Sequence, residues 1–125
     1  MGCGRIAGKF AADLKLVDDG ELIAIASRNQ ENAVEFSKQH PVKYRHTSYE
    51  QLARNEEVDI IYVATPHAIH YDNTMLCLQN HKPVLCEKAF AINSRQAKEM
   101  IELAQKNKVF LMEALWTKFL PHYTM

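Results

Sequence analysis

Two rhythms of apolar residues alternate along this chain. Ile6, Phe10, Leu14 and Val17 recur every three or four positions, which predicts an amphipathic helix from residue 6 to about 17. Asp18-Asp19-Gly20 breaks it, and residues 21–26 read as a short strand. Residues 30–39 predict a second helix with Ala33 and Phe36 inward, stopped at His40 by Pro41. A short strand at 42–44 and a brief helix capped by Ser48 follow. Residues 58–64 form a near-continuous apolar run of the kind buried inside parallel sheets. Then come a helix over 69–78, a strand at 84–86, a helix capped by Asn93 with Ala97, Met100, Ile101 and Ala104 on one face, and a strand at 109–114. Strands separated by helices imply right-handed crossovers, so the expected fold is α/β, a doubly wound parallel sheet with helices on both faces. There is no internal repeat or low-complexity tract, and no break before Leu120-Pro121.

Composition narrows the picture without changing it. The 125 residues are 47% hydrophobic and 24% charged, the balance of an ordinary globular domain. Lys plus Arg and Asp plus Glu number 15 each, so the charge calls for neither nucleic acid nor membrane. Cys3, Cys77 and Cys86 are odd in number and widely spaced, which points to a reduced, cytoplasmic chain and to no zinc pair.

The candidate chemistry lies where the strands end. Gly2-Cys3-Gly4-Arg5-Ile6-Ala7 fits the dinucleotide pattern GxGxxA. The first glycine serves a tight turn, the second lets backbone approach a pyrophosphate, and Ala7 allows close helix–strand packing. Gly2, Gly4, Arg5 and Ile6 therefore head the cofactor-binding candidates, at a helix start that offers free N–H groups to phosphate. Such a loop should follow a strand, and this sequence opens on the loop itself, so the Rossmann-like fold is expected to lack its first strand. After the strand at 21–26, Ser27-Arg28 stands where an NAD site usually carries Asp or Glu. A hydroxyl and a guanidinium suit a 2′-phosphate, which predicts NADP over NAD; a solvated arginine is the alternative.

Thr65, Pro66, His67 and His70 follow the central strand, where open α/β sheets bind ligands. Two histidines three apart can share a metal, but no third ligand is close in sequence, so cofactor contact and turn formation explain the segment better. Glu87 and Lys88 end the next strand. They read either as a solvated terminus or as a site in which Lys88 assists a substrate hydroxyl.

Together, the glycine loop, the Thr-Pro-x-x-x-His stretch, Glu-Lys-x-Phe and the closing Phe-Leu-Met-Glu-Ala-Leu-Trp-Thr-Lys-Phe resemble the glucose–fructose oxidoreductase, inositol dehydrogenase and rhizopine catabolism family. The final stretch is most similar to its dimeric dihydrodiol dehydrogenase and D-xylose dehydrogenase (NADP) branch. The resemblance implies hydride transfer between a nicotinamide and a carbinol carbon of a sugar, polyol or diol, with Lys88 as the catalytic residue and both Glu87 and Lys88 among the cofactor-binding residues. Ala89 replaces the family's proline after that lysine. Trp116 and Lys118 match a Trp-Thr-Arg at the cofactor site, with lysine losing the planar fork of arginine; interdomain packing is an equal reading of Trp116.

The expected organisation is a nucleotide-binding domain over residues 1–118, incomplete at its start, with 119–125 opening a second domain for substrate and homo-oligomer contacts. The chain alone is expected to be inactive. A non-catalytic nucleotide-binding module is the competing class; a methyltransferase is disfavoured by Ser27-Arg28 and Glu87-Lys88.

Overall fold

Among residues 1–115, which the computed structural model describes, helices and strands alternate as α1 (Arg5–Leu14), β1 (Ala24–Ala26), α2 (Gln30–Gln39), β2 (Tyr44–His46), α3 (Tyr49–Ala53), β3 (Ile61–Val63), a single 3₁₀ turn (His67–Ile69), α4 (His70–Gln79), β4 (Val84–Glu87), α5 (Ser94–Asn107) and β5 (Leu111–Ala114). Trp116, Lys118 and the expected boundary at 118 lie outside the described residues. The caps expected at Ser48 and Asn93 form, and Asn29 adds a third that sequence reading did not select. Asn29, Ser48 and Asn93 each accept the N–H three residues on, from Asn32, Gln51 and Gln96, which satisfies a donor the helix itself leaves free. At the other end of α5, Lys108 takes the left-handed conformation (φ 54°) and turns the chain into β5.

All strand pairs are parallel. β1 pairs with β2, Ala24 opposite Tyr44; β3 pairs with β4, Ile61 opposite Val84; β4 pairs with β5, Val84 opposite Leu111. β1 and β3 lie in separate sheets and do not pair with each other. Met1 and Gly2 lie between them: the Met1 amino group donates to Tyr62 O (2.9 Å), Ala64 N–H donates to Met1 O (2.9 Å), and Gly2 N–H donates to Ala26 O (2.8 Å). No strand precedes α1 among the described residues, and this single rung joins the two sheets. Away from the rung the sheets part around a cavity of about 680 Å³ lined by Phe10, Leu14, Ile23, Ile25, Ile60 and Leu85.

Alternation along the strands divides the core in two. Ile61 and Val63 face Leu78, Met100 and Ala104 on one side of the sheet, whereas Ile25 and Ala64 face Ala7, Ala11, Ala33 and Phe36 on the other. Helices thus cover both faces, as the alternating pattern predicts. The apolar stripe of α1 is the exception. Ala7 and Ala11 are its buried residues and Ile6 is 37% exposed, while Val17, expected within the helix, lies beyond its end at Leu14 and is 54% exposed. Small side chains let α1 approach Ala64 closely, and Phe10 turns aside to stack on Tyr62, ring centres 4.0 Å apart. Likewise Ile101, expected inward, is 46% exposed beside a groove that Phe90, Val109 and Leu111 line, and Met100 and Ala104 carry the contact of α5. Strand pairing is shorter than the apolar runs: 61–63 within 58–64, and 24–26 within 21–26. The second strand forms at 44–46 rather than 42–44. No helix among the described residues is long and apolar enough to cross a membrane.

Candidate cofactor site

Because every strand is parallel, the segments after β1, β3 and β4 emerge on one edge of the sheet, together with the loop that starts α1. Gly2 makes the tight turn, with φ 91° and its N–H held by Ala26 O. A Cβ there would lie 2.8 Å from Ala64 O, so only glycine fits without a shift. Gly4 is different. It takes an ordinary extended conformation (φ −85°, ψ −166°), it is the N-cap of α1 without a side-chain cap, and a Cβ on it would meet nothing within 4 Å. The first N–H groups of α1, next along the chain, have no partner inside the helix. Arg5 and Ile6 are exposed at the same helix start. These are the attributes a pyrophosphate requires: room, free donors and the positive end of a helix.

After β1, Ser27 is buried and its Oγ accepts the N–H of Asn29 (3.2 Å), fixing the turn into α2. Arg28 is exposed and makes no ion pair among the described residues. Its guanidinium is therefore available to an anion at the rim. Tyr49, which sequence reading did not select, lies close enough for Arg28 to influence its hydroxyl; burial pushes that hydroxyl up and Arg28 opposes the rise.

After β3 the segment divides into an inner and an outer part. Thr65 is buried, its Oγ1 accepting from Asn73 Nδ2 at 2.8 Å. Pro66 and His67 are exposed on the rim. The His70 ring is 1% exposed, with Nε2 at 2.7 Å from Thr65 O and Nδ1 at 2.7 Å from Ala89 O. With both ring nitrogens taken by backbone carbonyls, His70 has none left for a metal shared with His67, or for a ligand. It joins the Thr65 loop to the segment after β4 instead. Asn73, also missed at the sequence level, shares the buried face of α4 with His70, Thr74 and Cys77 at three- and four-residue spacing. Polar residues on an otherwise buried stripe were the available signal.

After β4, Glu87 and Lys88 part company. Glu87 is buried, and its carboxylate accepts the hydroxyl of Tyr62, the residue stacked on Phe10. Burial and then Glu87 push the Tyr62 hydroxyl strongly up, so it stays the proton donor in this pair. Glu87 acts as an internal brace rather than an outward group. Lys88 is exposed on the rim, and its peptide bond to Ala89 is cis. The structure thus brings Gly4, Arg5, Ile6, Arg28, Pro66, His67 and Lys88 to one rim as accessible groups, with Gly2, Ser27, Thr65, His70 and Glu87 beneath as its frame.

Known proteins share this fold. Residues 1–115 match the oxidoreductase family with NAD-binding Rossmann fold. The chain is 43% identical over 122 residues to a trans-1,2-dihydrobenzene-1,2-diol dehydrogenase of Xenopus laevis, covering 96% of this chain and 37% of that protein. It is 41% identical over 133 residues to an NADP⁺-dependent D-xylose 1-dehydrogenase of Hypocrea jecorina, covering 97% of this chain and 34% of that protein. Among solved structures, a 3-ketoreductase of Actinomadura kijaniata in complex with NADP and TDP-benzene superposes with a TM-score of 0.93 at 27% identity, over 98% of this chain and 38% of that one. The chain spans little more than a third of the length of these relatives. On fold, glycine loop and sequence together, the chain belongs to the glucose–fructose oxidoreductase, inositol dehydrogenase and rhizopine catabolism family of NAD-binding Rossmann-fold oxidoreductases.

Proposed function

We propose that this chain is the NADP-binding part of a dehydrogenase acting on a carbinol carbon of a sugar, polyol or trans-dihydrodiol. The observation that carries the reading is the rim itself: an open Gly4 at the start of α1, an exposed Arg28 after β1 that has no ion pair among the described residues, and an exposed Lys88 after β4, all at the ends of parallel strands. Gly4 and the start of α1 receive the pyrophosphate, and Arg28 meets the 2′-phosphate with charge-assisted bonds while Ser27 shapes the turn that presents it. Pro66 and His67 form the wall after β3. When bound, the nicotinamide supplies the hydride acceptor or donor.

Lys88 holds the substrate hydroxyl by a hydrogen bond and favours its ionised form, which assists loss of hydrogen from the carbinol carbon. Glu87, held by Tyr62 beneath the rim, leaves the ammonium of Lys88 free for that contact. Trp116 and Lys118 are assigned to the same cofactor site on sequence grounds. Substrate selection and subunit pairing belong, in this reading, to a second domain beginning near residue 119. The free thiols of Cys3, Cys77 and Cys86 favour a reducing, cytoplasmic setting.

The test is an assay of NADP reduction by the intact protein with D-xylose, glucose and a trans-dihydrodiol. Turnover with at least one, faster with NADP than with NAD, is the expected result. NADP binding without turnover on any carbinol substrate would make this a nucleotide-binding module instead.

A further inference from the structure

Tyr62 and Glu87 share one face of the sheet. In the parallel register Tyr62 stands opposite Leu85, and Glu87 lies two residues further along β4, on the same side as Leu85. The Tyr62 hydroxyl therefore reaches toward the end of β4, where it donates to the Glu87 carboxylate. The half-buried ring that carries it stacks on Phe10 of α1, with the two planes 20° apart. Stacking fixes the direction of the ring and leaves the hydroxyl for Glu87. Glu87 itself is buried and forms no ion pair among the described residues.

A buried carboxylate needs a donor, and the Tyr62 hydroxyl supplies one. Burial and then Glu87 push that hydroxyl strongly up, so it keeps its proton over the range in which a lysine is charged. The next residue along the chain is Lys88, exposed and without an ion pair among the described residues. It lies past the end of β4, where strand alternation no longer holds it to the face opposite Glu87. A carboxylate deprived of its donor is stabilised most simply by the adjoining cation, and an ammonium taken in this way is lost to a substrate hydroxyl. We infer that Tyr62 is a positioning residue, whose hydroxyl occupies the Glu87 carboxylate and so keeps the Lys88 ammonium for the substrate; the inference rests on the proposed role of Lys88.

Tyr62→Phe keeps the ring and its stack on Phe10 but removes the hydroxyl. In the intact protein it should lower kcat about tenfold or more while NADP affinity stays within about threefold. Adding Glu87→Gln removes the charge that competes for Lys88, so kcat of the double variant should rise about threefold or more above that of Tyr62→Phe. A purely structural role predicts the opposite, a second loss. Unchanged kcat in a folded Tyr62→Phe protein, or a double variant no faster than the single one, overturns the inference. The pairing is also read without turnover, from the rate at which acetic anhydride labels Lys88 in the cofactor-free protein. A neighbouring carboxylate favours the charged, unreactive form of an amine, so Tyr62→Phe should slow labelling of Lys88 about threefold or more relative to the exposed Lys106. Labelling that does not slow overturns the inference. Full turnover in Lys88→Met overturns the proposed role of Lys88, and the positioning role with it, while labelling still reports whether Tyr62 keeps Glu87 from Lys88. Where Tyr62→Phe does not fold, the wild-type protein decides: Lys88 labelled as fast as Lys106 supports the inference, and Lys88 labelled several-fold more slowly overturns it.

Discussion

Gly2 sits against the carbonyl of Ala64 so closely that an added Cβ would stand 2.8 Å from that oxygen, and its φ of 91° is itself unfavourable to any side chain. Gly4, two residues on, has neither restriction. The two glycines of one short loop therefore do different work. Gly2→Ala should destabilise the fold by about 2 kcal/mol or more, combining left-handed strain with a clash against backbone. Gly4→Ala should cost stability about 1 kcal/mol or less, since its Cβ enters open space, yet weaken dinucleotide binding about tenfold by occupying the room left for phosphate. Chemical denaturation and cofactor titration of both variants check this; similar losses of stability in the two would contradict it.

That division was only half legible in the sequence. The GxGxxA spacing announces the loop, but the positive φ at Gly2 and the open face at Gly4 are properties of the β1–β3 ends that flank it. Caps at Ser48 and Asn93 were readable because each depends on three neighbouring residues, whereas the cap at Asn29 was not selected. The buried face of α1 was not. Ile6 and Val17 satisfy a helical period, but Ala64 and Ile25 on the facing strands favour the small Ala7 and Ala11. The inward roles of Glu87 and His70 were hidden for the same reason. Their partners, Tyr62 for one and Thr65 and Ala89 for the other, come from elsewhere in the chain. Trp116 and Lys118 stand on sequence alone.

Lys88 is exposed and free of the buried network beneath it, so its loss should leave the fold intact. In the intact enzyme, Lys88→Met should reduce turnover by roughly 100-fold while NADP affinity changes little. Steady-state kinetics beside a cofactor titration separates the two effects. A variant with near-normal kcat would return Lys88 to the status of a solvated strand terminus.

Buried thiols give the fold a pH dependence with a definite sign. Burial pushes Cys77 up to about 12 and Cys86 up to about 11, against about 8.5 for a free thiol. Above about 8.5 the unfolded chain loses these protons while the native chain keeps them. The stability the thiols contribute is therefore fully present below that pH and is lost as pH rises toward 11 and 12. Each site contributes at most about 1.4 kcal/mol per pH unit inside its window. Urea midpoints near pH 7 and pH 10, compared in wild type and Cys77→Ala, should show a shallower fall in the variant. Identical falls would mean that the thiol is not protected as the structure indicates.

Arg28 carries the central claim, because it is the accessible cation that distinguishes a site for NADP from one for NAD. The most direct measurement is calorimetric titration of NADP and NAD into the protein and into Arg28→Asp. Wild type should prefer NADP by tenfold or more, and the variant should lose about 1.5–3 kcal/mol of NADP binding while NAD binding holds or improves. Equal affinities in the wild-type protein, or an Arg28→Asp variant that binds NADP as before, would contradict the assignment.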